Sequence, residues 1–205
     1  MISRSFLLIL GSLLLTACAT TTEKPRPTSR IDVQEDVGFT ITEASPVPDG
    51  ERLEYSQAIV QLEEGNHARG IAMLTQVAEA APNAAGPRID LGMAENEAGN
   101  LEAAEKHLLK ALELSPDHPV AYNELGIVYR KTGRFQEAKV AYETALSIFP
   151  GYHYARRNLG VLCDLYLGDL NCALDAYNAY MATVPADPEA AMWIADIRNR
   201  LGTQE

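Results

Sequence analysis

An all-α fold of stacked helical hairpins is what this sequence predicts, and three observations carry that expectation. Pro82, Pro116 and Pro150 stand 34 residues apart, and Pro185 follows after 35. Gly65, Gly99, Gly133 and Gly168 keep the same 34, 34, 35 rhythm. Within one period, residues 121 to 150, apolar residues recur at helical spacing on either side of Gly133. A fixed period of this size belongs to an array whose units bury their faces against neighbours, not to a single globular core.

The third unit shows the pattern best. Tyr122, Leu125, Gly126 and Tyr129 share one helical face, Gly133 breaks the helix, Ala138, Tyr142 and Ala145 restart it, and Pro150 ends it. Two amphipathic helices joined by a glycine turn result. The small residues Gly126, Ala138 and Ala145 let the backbones approach, and Leu125, Tyr129 and Tyr142 fill the remaining space.

This unit resembles the tetratricopeptide repeat, with its W-x2-L-G-x2-Y, A-x3-F and P positions, Tyr122 standing for Trp and Tyr142 for Phe. The second unit matches at Leu91, Gly92, Ala104, Ala111 and Pro116 and departs at Glu95, where the pattern has Tyr. The fourth matches at Leu159, Gly160, Ala173, Tyr177 and Pro185, with one extra residue between Gly160 and Gly168 that lengthens its first helix or its turn. The first is degenerate, with Gly70 at an Ala position, as array ends usually are. The resemblance implies a right-handed α-solenoid of about four units, near 51–84, 85–118, 119–152 and 153–186, with a cap helix at 187–201. On that helix Ala190, Trp193, Ile194 and Ile197 form one stripe, and Trp193 is expected to seal the last repeat.

The first residues give an address. Arg4 precedes a short apolar run, Phe6 to Leu15, too short for the ~20 residues of a membrane span. It is expected to be a secretory signal over residues 1–17. Leu15-Thr16-Ala17-Cys18 resembles the bacterial lipobox, which implies a lipidated Cys18 as the first mature residue. Ala19 follows, where Asp would favour inner-membrane retention, so the resemblance implies an outer-membrane lipoprotein facing the periplasm. Residues 18–50, rich in Thr, Pro and charge, are expected to be a flexible tether spanning about 30 Å as coil. Val37 to Thr42 is its most β-prone stretch, able to pair with a strand edge or simply to extend.

The formal charge of −11 becomes −12 once cleavage removes Arg4. That argues against nucleic acid and against electrostatic attachment to anionic lipid. Acids such as Glu102, Glu105, Glu137 and Glu143 fall on solvated helix faces. Cys163 and Cys172 flank Gly168 on antiparallel helices, positioned either for a disulfide, which the oxidising periplasm would permit, or as reduced, buried small residues. His67, His107, His118 and His153 lack metal-ligand spacing, and His118 and His153 sit near helix starts. No nucleophile elbow, phosphate loop or zinc motif occurs, so no catalysis, metal, cofactor or small-molecule substrate is expected.

Binding is the expected work. In tetratricopeptide arrays the first helix of each pair lines a concave face. The inward positions are Tyr55, Ser56, Ile59 and Leu62 in the first unit and Ile89, Asp90, Met93 and Asn96 in the second. In the third they are Asn123, Glu124, Ile127 and Arg130, and in the fourth Arg157, Asn158, Val161 and Asp164. Ile59, Met93, Ile127 and Val161 would form an apolar floor or else belong to the inter-repeat core. Asn96, Asn123, Arg130, Arg157 and Asn158 are expected to face the groove and hold a peptide backbone or carboxylate. Arg130, Arg156 and Arg157 make a local cationic cluster in an acidic chain. The expected role is a lipid-anchored adaptor that takes an envelope protein or an extended peptide in its groove. The alternative is an obligate subunit of one envelope complex that packs through its convex face.

Overall fold

The computed structural model describes residues 30–34 and 38–202. The expected signal over residues 1–17, Cys18 and residues 19–29 lie outside them. Nine α-helices are found among the described residues: α1 (Arg52–Glu63), α2 (His67–Ala80), α3 (Gly86–Glu97), α4 (Leu101–Leu114), α5 (Pro119–Lys131), α6 (Phe135–Ile148), α7 (His153–Leu162), α8 (Leu170–Thr183) and α9 (Pro188–Gly202). They form four hairpins, α1–α2, α3–α4, α5–α6 and α7–α8, each stacked on the next, with α9 closing the end. The fold is the α-solenoid expected from the period.

The periodic residues do periodic work. Each of Pro82, Pro116, Pro150 and Pro185 stands two residues beyond the end of a second helix, where a residue that cannot continue the helix stops it. Gly65, Gly99, Gly133 and Gly168 take φ of 81°, 84°, 78° and 65°, the left-handed conformation that turns the first helix back. Side chains cap where a new helix begins. His118 Nδ1 accepts from the Ala121 N–H (3.4 Å), Asp169 from Cys172 (3.0 Å), and Asp187 from Glu189 and Ala190 (2.9 and 3.1 Å).

Within each hairpin a small residue of the first helix faces a large one of the second. A Cβ on Gly126 would lie 2.5 Å from the Tyr142 ring, and one on Gly160 as close to Tyr177. Tyr142, Tyr177, Leu74 and Leu108 are essentially fully buried at equivalent positions, the spine of the stack. Trp193 of α9 packs on Tyr177, ring centroids 5.2 Å apart, so the cap helix continues that spine.

The extra residue of the fourth unit is absorbed in an unforeseen way. In the first three units the turn closes with a bond from the residue after the glycine to a carbonyl five back: Asn66 to Gln61, Asn100 to Glu95, Arg134 to Tyr129. In the fourth the same bond, Asp169 to Cys163, spans six, and residues Cys163–Leu167 wind as a π-helical turn. A π turn takes in one more residue without moving the helix ends. Cys163, where that turn begins, is joined to Cys172 by a disulfide with Cα atoms 5.8 Å apart.

Residues 30–34 and 38–50 depart from the expected flexible tether. Strands β1 (Arg30–Gln34) and β2 (Gly38–Thr42) pair antiparallel, with Arg30 opposite Thr42 and Val33 opposite Phe39. Exposure alternates along β2 and just beyond it. Phe39, Ile41 and Glu43 are half-buried, and Thr40 and Thr42 are exposed. The overall polarity of the segment hid this two-residue alternation, which seats one face of an extended chain on the helices.

Candidate functional site

The first helices α3, α5 and α7 touch one another directly, which places them on the inner side of the curve and makes their facing side chains the concave surface. The expected groove residues separate into two sets there. Asn96 and Asn123 are not available to a ligand, being 8% and 2% exposed. Asn158, Arg157, Arg130, Ile127 and Val161 remain partly exposed.

The two amides are buried because each reaches a neighbouring first helix. The Lys131 ammonium donates to Asn96 Oδ1 (2.7 Å) and to its carbonyl (3.3 Å). Asn158 Nδ2 donates to Asn123 Oδ1 (2.9 Å), while Asn123 Nδ2 donates to Glu124 Oε1 (2.9 Å). The same step recurs along the stack: Tyr55 OH donates to Asp90, Arg130 to the Tyr166 hydroxyl (3.3 Å) and Arg200 to Asp164 (2.7 Å). Every one of these bonds between repeats joins residues 35 or 36 apart, one repeat plus a residue or two.

Ile59, Met93, Ile127 and Val161 each pack at the margin of an inter-repeat core cluster while staying half-buried. They are both floor and core margin, a continuous apolar strip along the inner face. The expected arginine cluster is dispersed. Arg156 donates to the Pro150 carbonyl, and Arg130 stands near the C-terminus of α5, about two turns, or ~10 Å, further along its helix than the Asn123 level where Arg157 sits. Arg157 lies over the Trp193 ring (5.3 Å) and 3.8 Å from Glu189, its side chain 44% exposed. Its Nε–H is buried without a hydrogen-bond partner among the described residues.

A second set of polar groups gathers on the rim where α3 and α5 begin. Glu43 Oε2 accepts from the Gly86 N–H (3.1 Å), and its Oε1 lies 3.9 Å from His118 Nε2. Tyr55 and Asp90 complete the cluster. Burial pushes the Glu43 and Asp90 carboxyls above the usual range, and the neighbouring Asp90 charge raises Glu43 further. Burial pushes the His118 imidazole down to about 4. Beyond this cluster Phe39 meets Phe149 and Tyr152 edge-on, at 4.9 and 5.1 Å, beside Val120 and Tyr122. Glu43 was not picked out from sequence, and Phe39 only as part of the β-prone stretch Val37 to Thr42. The signal was the alternation Phe39, Ile41, Glu43 inside an otherwise polar stretch.

Among the described residues no group of three or more His, Cys, Asp or Glu side chains is placed to hold a metal, and no helix is long and apolar enough to cross a membrane.

Two overlapping family models of the tetratricopeptide repeat match the chain, one over residues 83–151 and one over residues 123–180. Together they span residues 83–180, from the end of the first hairpin into α8. Solved structures are similar across most of the chain. MamA (residues 41 to its end) from Desulfovibrio magneticus RS-1 is 20% identical, with a TM-score of 0.66 over 76% of this chain and 88% of that one. The pilF protein of Pseudomonas aeruginosa is 18% identical, with a TM-score of 0.69 over 76% and 70%. TTC0263, a thermophilic protein of Thermus thermophilus, is 23% identical, with a TM-score of 0.63 over 73% and 82%. At these identities the likeness concerns the fold. No curated protein matches the chain.

Proposed function

We propose that this chain is a protein-interaction scaffold, held by lipid on Cys18 at the periplasmic face of the outer membrane, that takes an extended segment of an envelope protein along its concave face. The observation that carries the binding half is the inner strip Ile59, Met93, Ile127 and Val161, half-buried at equivalent positions, with the partly exposed Arg157 guanidinium beside it. A strip of that kind gives an extended peptide apolar contact, and a guanidinium offers a paired hydrogen bond to a carboxylate or a main-chain carbonyl. No catalytic role is assigned. The membrane half rests on the lipobox-like Leu15-Thr16-Ala17-Cys18. Lipid attachment contributes ~0.8 kcal/mol per buried methylene, so two or three chains anchor stably.

Crosslinking in cells tests the binding half. The wild type is compared with an Arg130→Gln, Arg157→Gln variant that still melts cooperatively as a helical protein. Capture of one envelope protein by the wild type, lost in the variant, supports the groove. Equal capture by both places binding elsewhere. For the anchor, Cys18→Ser should move the protein from the membrane to the soluble fraction and abolish incorporation of labelled fatty acid.

One observation favours a second reading, that of a permanently packed subunit. Val140 of α6 and Leu109 of α4 are 62% and 43% exposed on the second helices. A hollow of about 390 Å³ opens beside Val140, lined by Tyr122, Leu125 and Tyr129. If the captured partner survives the groove variant but is lost on Val140→Glu, the outer helices are the interface.

A further inference from the structure

Residues 39–43 behave as a ligand that happens to be covalently attached. They are extended and present alternate side chains to the helices, and Phe39 and Glu43 make contact with them. Phe39 enters an aromatic corner made by Phe149 and Tyr152, with Val120 and Tyr122 beside it. Ile41 helps line a hollow with Val47, Arg52 and Tyr55. Glu43 takes the Gly86 N–H at the start of α3, beside His118. The corner belongs to the third repeat and the Gly86 socket to the second, and the hollow opens between α1 and that socket.

We propose that this rim is a docking site for an extended partner segment of the pattern aromatic, any residue, aliphatic, any residue, acidic, and that residues 39–43 fill it until such a partner displaces them. The inference rests on the scaffold reading and names a second surface for it, distinct from the inner strip.

Two features make the resident segment exchangeable. The contacts that Phe39 and Glu43 make with the helices run through their side chains. Without an occupant the corner would expose the Phe149, Tyr152, Val120 and Tyr122 side chains together, so the site favours some occupant over none. The hairpin partner β1 leaves with β2, so displacement need not break their pairing.

The probe is a fluorescein-labelled peptide with the sequence of residues 38–46, and the readout is anisotropy with the full chain. Against wild type the probe must compete with the resident copy and should bind weakly. Against a Phe39→Ala, Glu43→Ala variant it should bind at least 10-fold more tightly. Peptides with Phe→Ala or Glu→Gln should lose at least 10-fold on that same variant, a comparison that does not depend on any change in the helices. Equal binding to wild type and variant, or equal binding of the three peptides, overturns the proposal. The crosslinking experiment is separate: a partner lost on Arg130→Gln, Arg157→Gln beside an indifferent probe sinks the rim site and leaves the scaffold standing.

Discussion

Asn158 donates a 2.9 Å hydrogen bond to Asn123, one repeat away, and Asn123 is 2% exposed. A side chain placed to greet a ligand instead ties two units together. The same step joins Tyr55 to Asp90 and Lys131 to Asn96, so much of the polar inner face is a stacking device. What is left for partners is the apolar strip, Arg157 and the rim.

Removing one member of that ladder should cost stability before it costs binding. Asn158→Ala leaves the buried Asn123 carbonyl oxygen short of a donor, a loss of about 1–3 kcal/mol. Urea unfolding of the variant should show a lower midpoint. An unchanged midpoint would mean that water replaces the amide and that the bond contributes nothing.

The hairpin interior leaves no space at its glycine positions. Gly126→Ala puts a methyl 2.5 Å from the fully buried Tyr142 ring. Overpacking should destabilise by about 1–3 kcal/mol, read from thermal unfolding. Gly202→Ala, with nothing within 4 Å of its Cβ, should be neutral in the same assay.

The Cys163–Cys172 bond closes a loop with a sequence separation of 9. In the chain-entropy picture such a loop stabilises by about 2–3 kcal/mol. Cys163→Ser with Cys172→Ser should lower the unfolding midpoint under oxidising conditions and remove the difference that a reductant makes to the wild type. A midpoint insensitive to reductant in both proteins refutes the estimate.

Acid should weaken the rim through His118. Its folded pKa is pushed down to about 4 from 6.5, so the unfolded chain takes up the proton first as pH falls. Stability is therefore lost between about pH 6.5 and 4, by up to about 3 kcal/mol. Glu43 and Asp90 oppose it: their raised pKa values let the folded state take protons earlier, which adds stability over part of the same range. Asp117, beside His118, partly counters the depression of the histidine. His118→Asn keeps a capping residue and removes the titration. The wild-type melting temperature should fall more steeply over this range than the variant's. Parallel slopes would show that the histidine is not held neutral.

The sequence by itself determined the architecture. Prolines and glycines at a fixed period act locally, through a missing N–H and a permitted positive φ, so their effect needs no knowledge of the rest of the chain. The pairing of Gly126 with Tyr142 was legible for the same reason, since both belong to one hairpin. Three things were decided only by the tertiary structure. The extra residue of the fourth unit became a π turn because neighbouring repeats fix both ends of its helices. Asn96 and Asn123 turned inward because a partner 35 residues away lay within reach of a bond that exposure to water would have made unnecessary. And Phe39 and Glu43 acquired a role because the third repeat sets an aromatic corner, and the second a helix-start N–H at Gly86, along one strand's path. Each depends on contacts between units, and such contacts appear only once the units are stacked.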